Sequence, residues 1–278
     1  MPSQWAFENG ALTALARSPD RAQLYGDALF ETMLWSGRHL ALKSYHIARL
    51  LRGCERLHIN LSYAEIELYL KQLELSLMDS FNGVTRAVRL MCTPTAEGRG
   101  YSRTLTAGVS LSTFITPLQP QETASLELGV STVKLGLQPL TAGLKHANRL
   151  EQVLGASELQ RAGYEDGLML DINDSVVCTT RANVYVLIDQ EWHTPALNLA
   201  GVSGTRRAWL FDAASKLGLS LCESTVTLAS LEQSSAVMVS NALRGFVSVT
   251  KVAGQAYETH SAVDEINHAY SEYLDRER

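Results

Sequence analysis

The sequence predicts a two-domain protein that mixes helices and strands, of the α+β or α/β class. Its 278 residues are enough to build two hydrophobic cores. Both halves contain apolar segments with strand periodicity and others with helix periodicity. A stretch with two prolines and few apolar residues separates the halves at 116–125. We therefore expect a smaller α+β domain at 1–117, a linker at 118–125 and a larger domain at 126–278.

The first domain is predicted to contain a strand pair, two helices and two further strands. A turn at Ser36-Gly37-Arg38 would join the strand pair, and Ser44 is placed to cap the first helix. The predicted elements are strands at 29–34 and 39–42, a helix that starts at Ser44, a helix at 63–78, and strands at 85–92 and 106–113.

The second domain is predicted to be richer in strands. No internal repeat or low-complexity segment interrupts it. The predicted elements are strands at 127–133, 166–172, 183–188 and 236–240, and helices at 147–161, 204–217 and 261–274.

The composition is that of an ordinary globular protein, with 46% hydrophobic and 19% charged residues. A net charge of -5 gives no long-range attraction to nucleic acid or to an anionic membrane. We therefore predict neither as a partner. Any anionic ligand must be held by cations close to it.

The cysteines and the first residues of the chain indicate a cytoplasmic protein. The four cysteines are far apart in sequence and form no CxxC pair, so neither a metal site nor a disulfide framework is predicted. The N-terminus lacks a basic segment followed by an apolar one, and no apolar run is long enough to span a bilayer.

Lys145 is the leading candidate for a catalytic residue, because it precedes a predicted helix and lies between two apolar segments. In that helix, Ala147, Leu150, Val153 and Leu154 would share one face, and we expect this face to pack against the lysine stem. Such packing suits a lysine held in a closed site. A solvated surface lysine is the ordinary alternative.

The segment 199–206 predicts a possible anion site. It is rich in glycine and leads into a helix that begins near Gly204. Free backbone N–H groups and the helix dipole would meet there, with glycines that allow close approach. An ordinary helix start that binds nothing is the alternative.

These segments, in this order, resemble the fold-type IV pyridoxal phosphate enzymes, which include branched-chain aminotransferases, D-amino acid aminotransferases and aminodeoxychorismate lyases. The resemblance covers most of the chain and implies the two-domain class IV aminotransferase-like fold, also called D-amino acid aminotransferase-like. The motifs that carry it are Tyr25-Gly-Asp-Ala-Leu-Phe-Glu-Thr32, His46-Ile-Ala-Arg-Leu50, Lys145 with Asn148, Asn183-Val-Tyr, Thr194-Pro and Gly201-Val-Ser-Gly-Thr-Arg206.

Within that group, the sequence is most similar to the aminodeoxychorismate lyases. The most specific segment is Gly143-Leu-Lys-His-Ala-Asn-Arg-Leu-Glu-Gln-Val-Leu154, and two shorter segments agree with it, Glu97-Gly-Arg-Gly-Tyr-Ser102 and Ser240-Asn-Ala-Leu243. The resemblance implies a lyase that converts 4-amino-4-deoxychorismate to 4-aminobenzoate and pyruvate for folate biosynthesis. It also implies a homodimer, and pyridoxal 5'-phosphate as cofactor.

The resemblance assigns roles to individual residues. Lys145 matches the lysine that binds the cofactor and moves the substrate proton, which requires it to lose its charge. Arg49 matches the arginine that binds the cofactor phosphate; an exposed helix arginine is the alternative. The backbone of Gly204 and Thr205, together with Asn241 and Ala242, would complete the phosphate site.

Cys178 departs from the family pattern. Family members usually carry a glutamate at this position, whose carboxylate keeps the cofactor's pyridine nitrogen protonated. A thiol with an unperturbed pKa of about 8.5 stays mostly protonated at neutral pH and binds a nitrogen weakly. Asp171 and Asp174 offer no replacement, because they precede the segment in a predicted hairpin turn.

Substrate binding is assigned to Arg99 and Tyr25. Arg99 lies in a glycine-rich segment that could close over a dicarboxylate substrate, and a surface turn arginine is its alternative. Tyr25 would lie near the cofactor, unless it only fills a core. Two functions remain open beside the lyase. One is an aminotransferase of the same fold, and the other is a cofactor-binding relative without useful catalysis, which Cys178 favours.

Overall fold

Two β-sheets organise the protein. The computed structural model describes residues 5–8, 11–14, 20–95, 100–103, 106–118 and 125–276. Within these ranges a three-stranded sheet and a ten-stranded sheet accompany a two-stranded ribbon. The strands are β1 Trp5–Glu8, β2 Ala11–Ala14, β3 Leu29–Trp35, β4 Arg86–Pro94, β5 Val109–Pro117, β6 Ser125–Val130, β7 Asp166–Leu170, β8 Ser175–Thr179, β9 Asn183–Ile188, β10 Glu191–Pro195, β11 Ser220–Ser224, β12 Val226–Thr227, β13 Ala236–Asn241, β14 Gly245–Val252 and β15 Gln255–Ala256.

Seven α-helices in the described ranges pack on these sheets. They are α1 Arg21–Tyr25, α2 Lys43–Arg56, α3 Tyr63–Phe81, α4 Leu150–Arg161, α5 Thr205–Ala214, α6 Leu228–Gln233 and α7 Ser261–Arg276. A 3-10 turn at Ser215–Leu217 extends α5. Among the described residues no helix combines the length and the apolar character that crossing a bilayer requires.

The small sheet is antiparallel, in the order β3-β4-β5. Alternate residues of β3 and β4 point to one face, where they are covered by α2 and α3. The apolar residues of α2 recur at helical spacing and meet that face. A capping box formed by Ser62 and Glu65 starts α3. The core comprises Leu29, Met33, Trp35, Val88, Leu90, Ile47, Leu50, Cys54, Ile66 and Leu70, among others.

The large sheet is buried on both faces. Its strand order is β11-β10-β9-β13-β14-β6-β7-β8-β12, with β15 paired to β14. In β9, Val184 and Val186 enter one core, whereas Tyr185 and Leu187 enter another on the opposite face. The sequences of such central strands are continuously apolar, because neither face of the strand is exposed to solvent.

Helix α4 packs closely on β6 and β7 because both strands present a glycine to it. A Cβ atom at Gly167 would lie 2.5 Å from Leu159 Cδ2, and one at Gly129 would lie 2.6 Å from the same atom. Such contacts are far shorter than van der Waals contact, so a larger residue would push the helix away. The two glycines therefore set the position of α4, and with it the end of the segment that carries Lys145.

Several boundaries differ from the sequence-based expectations. No strand forms at 39–42, where only Leu40 bridges to Trp35, because the Ser36 hydroxyl accepts hydrogen bonds from two backbone N–H groups and closes a turn. Helix α2 starts at Lys43, so Ser44 lies inside it and does not cap it. The strand expected at 106–113 is β5, which begins three residues later.

Helix α4 begins at Leu150, three residues later than expected, because the backbone before it hydrogen-bonds to residues at the start of β3. The Lys145 carbonyl accepts a hydrogen bond from Phe30 N at 2.9 Å, and Ala147 N donates to Ala28 O at 2.9 Å. These bonds attach the segment to the edge of β3. Pairing with a strand edge requires extended backbone, so the helix begins only after this segment.

The predicted packing of the α4 apolar face against the lysine stem is wrong. Leu150, Val153 and Leu154 are 69, 56 and 51% exposed. These side chains are open to solvent, and the Lys145 backbone is bonded to β3 instead. The predicted domain boundary stays a prediction, and residues 119–124 of the expected linker lie outside the described part of the chain.

Candidate active site

A cavity of about 410 Å³ lies where the two sheets meet. Phe30 and Thr32 of β3 and Arg49 of α2 line one side, and segments of the large sheet line the other. Seven residues predicted from the sequence are in this wall: Lys145, Arg49, Cys178, Gly204, Thr205, Asn241 and Ala242. The fold thus brings together residues that are almost 200 positions apart in the chain.

Strand β3 and the loop that leads into α5 place Lys145 in the cavity wall. One bridge joins the adjacent His146 to Leu29. Gly143 N donates to Gly201 O at 3.0 Å, and Ser203 N donates to Gly143 O at 3.0 Å. The loop before Lys145 is therefore attached to the loop that leads into α5. Strand β3 and α5 together fix the position of the lysine.

The Lys145 ammonium is in an environment that disfavours its charge. Burial is the largest cause, the nearby charge of Arg49 acts in the same direction, and the carboxylate of Glu31 opposes both. Together they lower the pKa of Lys145 to about 7. The Nζ atom lies 4.4 Å from the centre of the Phe30 ring. Near neutral pH, much of Lys145 is an uncharged amine that can act as a nucleophile or a base.

Arg49 is held by a buried carboxylate. Its Nε donates to Glu31 Oε1 at 2.9 Å, and a terminal nitrogen donates to the other carboxylate oxygen. A further N–H donates to Ser203 O at 3.0 Å. Burial would raise the pKa of Glu31, but Arg49 and His46 outweigh it through their charges and hydrogen bonds and lower the pKa to about 2. Glu31 is therefore an anion at neutral pH, although its side chain is buried.

His46 extends this pairing to α5. Its Nδ1 lies 2.5 Å from Glu31 Oε2, and its Nε2 lies 3.5 Å from Thr205 Oγ1. Burial lowers the pKa of His46 despite the carboxylate, so the ring is neutral at pH 7. We infer that Nδ1 donates to Glu31 and Nε2 accepts from the Thr205 hydroxyl. One carboxylate thus connects β3, α2 and the first turn of α5.

The start of α5 is open to an anion. Gly204 is its N-cap residue and supplies no side-chain cap, so N–H groups of the first turn are available to a ligand. A Cβ at Gly204 would lie 2.0 Å from Asn183 Oδ1, which explains the glycine. Asn183 in turn donates to Val202 O at 2.9 Å. The loop shape therefore depends on this close contact.

A second turn faces α5 across the cavity. The Asn241 carboxamide oxygen accepts from Leu243 N at 3.0 Å and from Arg244 N at 2.8 Å. Arg206 donates to Ala242 O at 3.2 Å, but its buried Nε has no hydrogen-bond partner among the described residues. Because a buried donor without a partner is costly, this N–H favours a ligand that accepts from it.

Cys178 lies in the cavity wall on β8, opposite Met169 of β7. Burial, and then the charge of Asp166, raise the pKa of the thiol to about 12, although Arg149 opposes the shift. The group is therefore a neutral thiol at physiological pH. Asp171 and Asp174 lie in the β7–β8 turn, where Asp171 accepts from Asn173 N and Ser175 N.

The cavity wall has a one-sided charge. None of the described residues that line it is a carboxylate, and five are arginines: Arg49, Arg149, Arg181, Arg206 and Arg244. This arrangement attracts anions although the whole chain is acidic. It supplies the local cations that an anionic ligand would need.

Sequence reasoning missed Arg89 of β4. Its guanidinium lies 4.3 Å from the centre of the Phe30 ring, on which the Lys145 amine also lies. It lines a second cavity of about 660 Å³ that shares Thr32 with the first. Its charge contributes to the lowered pKa of Lys145. Strand alternation places Arg89 on the face of β4 opposite Val88 and Leu90, but only the fold shows that this face adjoins the lysine.

The structure describes only one of the two residues predicted to bind the substrate, and their binding role stays a prediction. Tyr25 lies outside the lining of both cavities, where its ring packs against Tyr101 at 5.4 Å and the Arg21 guanidinium at 5.0 Å. Arg99 lies outside the described residues.

Replacing Glu31 with glutamine should destabilise the protein. The variant leaves the buried Arg49 charge without its anion, which costs roughly 3 kcal/mol in the free energy of unfolding. Because the pKa of Glu31 falls from 4.5 to about 2 on folding, its contribution is complete above about pH 4.5 and is lost as the pH falls toward 2. Urea unfolding at pH 7 and at pH 3 measures both effects.

The matched control is Glu272→Gln, which removes an exposed carboxylate paired with His268 and Arg276 on α7. It should change the free energy of unfolding by less than about 1 kcal/mol. Equal stability losses in the two variants, or a Glu31→Gln loss that does not shrink at pH 3, would contradict this role for Glu31.

Comparison with known proteins identifies the family. The model for amino-transferase class IV matches residues 28–252. Aminodeoxychorismate lyase of Vibrio harveyi is 30% identical over 241 residues, which cover 84% of this chain and 86% of that protein. D-alanine aminotransferase of Bacillus licheniformis is 25% identical over 238 residues, with 85 and 82% covered.

A solved structure agrees with this family and with the predicted fold class. The 4-amino-4-deoxychorismate lyase of Pseudomonas aeruginosa superposes with a TM-score of 0.86 at 31% identity, and the match covers 95% of this chain and 97% of that one. The class IV aminotransferase-like fold, with its mixed α and β content, is therefore confirmed as the fold class. The chain belongs to the class IV aminotransferase family, and its cofactor is pyridoxal phosphate.

Proposed function

We propose that the protein is a pyridoxal phosphate-dependent lyase that converts 4-amino-4-deoxychorismate to 4-aminobenzoate and pyruvate, a reaction of folate biosynthesis. The proposal rests on the cavity. Its described lining contains arginines and no carboxylate, and it contains Lys145, whose pKa is lowered to about 7. The similarity to two lyases over more than four fifths of the chain supports the same choice.

The cavity residues fit the cofactor at its phosphate and at its aldehyde carbon. Arg49, the first turn of α5 and the Asn241–Ala242 turn would hold the phosphate, and Arg206 Nε offers it an unused buried donor. Lys145 would bind the aldehyde carbon through its neutral amine. Cys178 would face the ring as a neutral thiol, which can donate or accept only a weak hydrogen bond.

When bound, pyridoxal phosphate withdraws electrons from the carbon next to the substrate amine. The neutral Lys145 amine is then the group that takes the proton from that carbon. The electrons of this C–H bond enter the ring as the neighbouring C–O bond breaks. The expelled enolpyruvate takes up a proton and becomes pyruvate, and the ring becomes aromatic as 4-aminobenzoate.

The two substrate carboxylates need cations that are not already committed. The cavity arginines donate to protein acceptors: Arg49 to Glu31 and Ser203, Arg149 to the carbonyls of Leu144 and His146, and Arg181 to that of Glu165. Arg89 has no ion-pair partner among the described residues and lies beside Lys145 over Phe30. We assign Arg89 to one carboxylate, and Arg99 stays the predicted ligand of the other.

Cys178 favours the lyase over an aminotransferase. Amino-group exchange would depend on strong electron withdrawal by the cofactor, because no aromatic product forms to assist that reaction. Elimination is assisted by aromatisation of the product ring, so it tolerates a neutral group at position 178. An aminotransferase is the second candidate because the D-alanine aminotransferase of Bacillus licheniformis matches 85% of this chain.

The test of the proposed reaction is pyruvate and 4-aminobenzoate release from 4-amino-4-deoxychorismate in the presence of pyridoxal phosphate. We expect equal amounts of the two products from the native protein, and a loss of at least about 1000-fold in Lys145→Ala, because the proton acceptor is gone. Lys71→Ala, which removes an exposed lysine on α3, should retain the native rate. Native protein that binds pyridoxal phosphate but releases neither product would contradict the proposal.

A carboxylate at position 178 should favour amino-group exchange. In Cys178→Glu we expect the exchange rate between D- or L-alanine and a keto acid to rise at least about 10-fold, because an anion facing the cofactor ring strengthens electron withdrawal. Cys178→Gln has nearly the same shape without the charge and should stay at the native exchange rate. Equal exchange rates in both variants would rule out this role for the charge at position 178.

We also propose that the chain forms a homodimer in the cytoplasm. The apolar face of α4 formed by Leu150, Val153 and Leu154 is exposed, and an exposed apolar stripe of this kind favours an interface. The cysteines at described positions are free thiols, as in a reducing compartment. Light scattering that gives the mass of a single 30.5 kDa chain would contradict the dimer, and fractionation of cells tests the location.

A further inference from the structure

A second group of reactive side chains lies on the outer strands of the large sheet. Strands β10 and β11 pair in parallel, with His193 opposite Cys222 and Glu191 opposite Ser220. Residues two apart in a strand point to the same face. Glu191 and His193 therefore share one face with Ser220 and Cys222, while Trp192 is buried on the other.

The polar atoms of this face converge. The Cys222 sulfur lies 3.2 Å from His193 Nδ1, and the His193 Nε2 lies 3.6 Å from Glu191 Oε2. One ligand atom from each of the three residues lies within 4.8 Å of the other two. All three residues are half-buried.

From this geometry we propose that Glu191, His193 and Cys222 form a binding site for a divalent transition-metal ion, with zinc as the preferred ion. Thiolate sulfur, imidazole nitrogen and carboxylate oxygen are the ligands that zinc takes in proteins. Tetrahedral zinc with its usual bond lengths holds its ligand atoms roughly 3.3–3.7 Å apart. The ion binds one nitrogen of His193, and because one ligand atom from each residue lies within 4.8 Å of the other two, rotation of the side chains can bring the set to these separations.

The charge of the ligand set matches the ion. A thiolate and a carboxylate carry two negative charges, which a divalent cation neutralises. Without an ion, burial and the adjacent Glu191 carboxylate raise the pKa of the Cys222 thiol. A bound cation would reverse this effect, because metals deprotonate the thiols that coordinate them.

The surroundings supply the remaining features of a metal site. Ser220 Oγ donates to Glu191 Oε1 at 2.6 Å and orients the carboxylate. Glu191 and His193 also line a cavity of about 430 Å³. This cavity gives the ion an entry path and leaves room for water at a fourth position. The site lies on the outer strands, and none of its three ligands lines the Lys145 cavity.

The test is zinc binding by the reduced, cofactor-loaded protein, with zinc measured in competition with a chromophoric chelator. We expect one zinc ion per chain, and a loss of affinity of at least about 10-fold in both Cys222→Ser and His193→Gln, because each removes one of the three ligands. His268→Ala removes an exposed histidine that also lies beside a carboxylate, Glu272. Its zinc affinity should equal that of the native protein.

Alkylation provides a readout that does not depend on affinity. Cys222 is only half-buried, whereas Cys54, Cys92 and Cys178 are buried, so iodoacetamide should label Cys222 first. Zinc should slow this labelling at least about 10-fold, as followed by mass spectrometry of the peptide that contains residue 222. The proposal is overturned if the native protein binds no zinc, if both ligand variants bind zinc with native affinity, or if zinc leaves the labelling rate unchanged.

Discussion

The active-site cavity depends on one buried interaction, the pairing of the Glu31 carboxylate with Arg49 and His46. It joins three elements that are distant in the chain, namely β3, α2 and, through Thr205, the first turn of α5. A buried carboxylate is stable only with partners of this kind, because loss of its hydration would otherwise raise its free energy. The pairing therefore makes one cavity wall from separate elements, and it fixes the orientation of Arg49.

The same arrangement sets the electrostatics of the cavity. Glu31 neutralises part of the positive charge behind the wall, yet no described carboxylate lines the cavity itself. The cations that line the cavity favour an anionic ligand, and burial together with the charges of Arg49, Arg149 and Arg89 lowers the pKa of Lys145. The proposed phosphate binding and the neutral lysine therefore share one cause, the positive charge around the cavity. Cys178 adds no charge, because burial keeps its thiol protonated.

The residues that lie in short motifs were found through the family resemblance that those motifs carry. Lys145 and Arg49 were predicted in this way, and both line the cavity. The packing partner of Lys145 was predicted wrongly, because the apolar periodicity of α4 identifies a helix face but not what covers that face. The true partner is the edge of β3, which bonds to the Lys145 backbone and lies more than 100 residues earlier.

Contacts between residues that are distant in the chain could not be predicted from the sequence, for the same reason. Glu31 is one acid among 29 acidic residues, and only the fold shows that it is buried against Arg49. Cys222 has no nearby cysteine, so spacing rules gave no reason to place it in a metal site. Its position opposite His193 comes from the register of two strands. The strand prediction itself missed β11, whose short, partly polar sequence has little apolar character.

The pKa of the Lys145 amine reports the electrostatics that the Glu31 pairing and the cavity create. It can be measured in the cofactor-free protein from the pH dependence of acetylation by acetic anhydride, with mass spectrometry of the peptide that contains residue 145. We expect half-maximal reactivity near pH 7. Reactivity that rises only near pH 10, as for an ordinary exposed lysine, would contradict it.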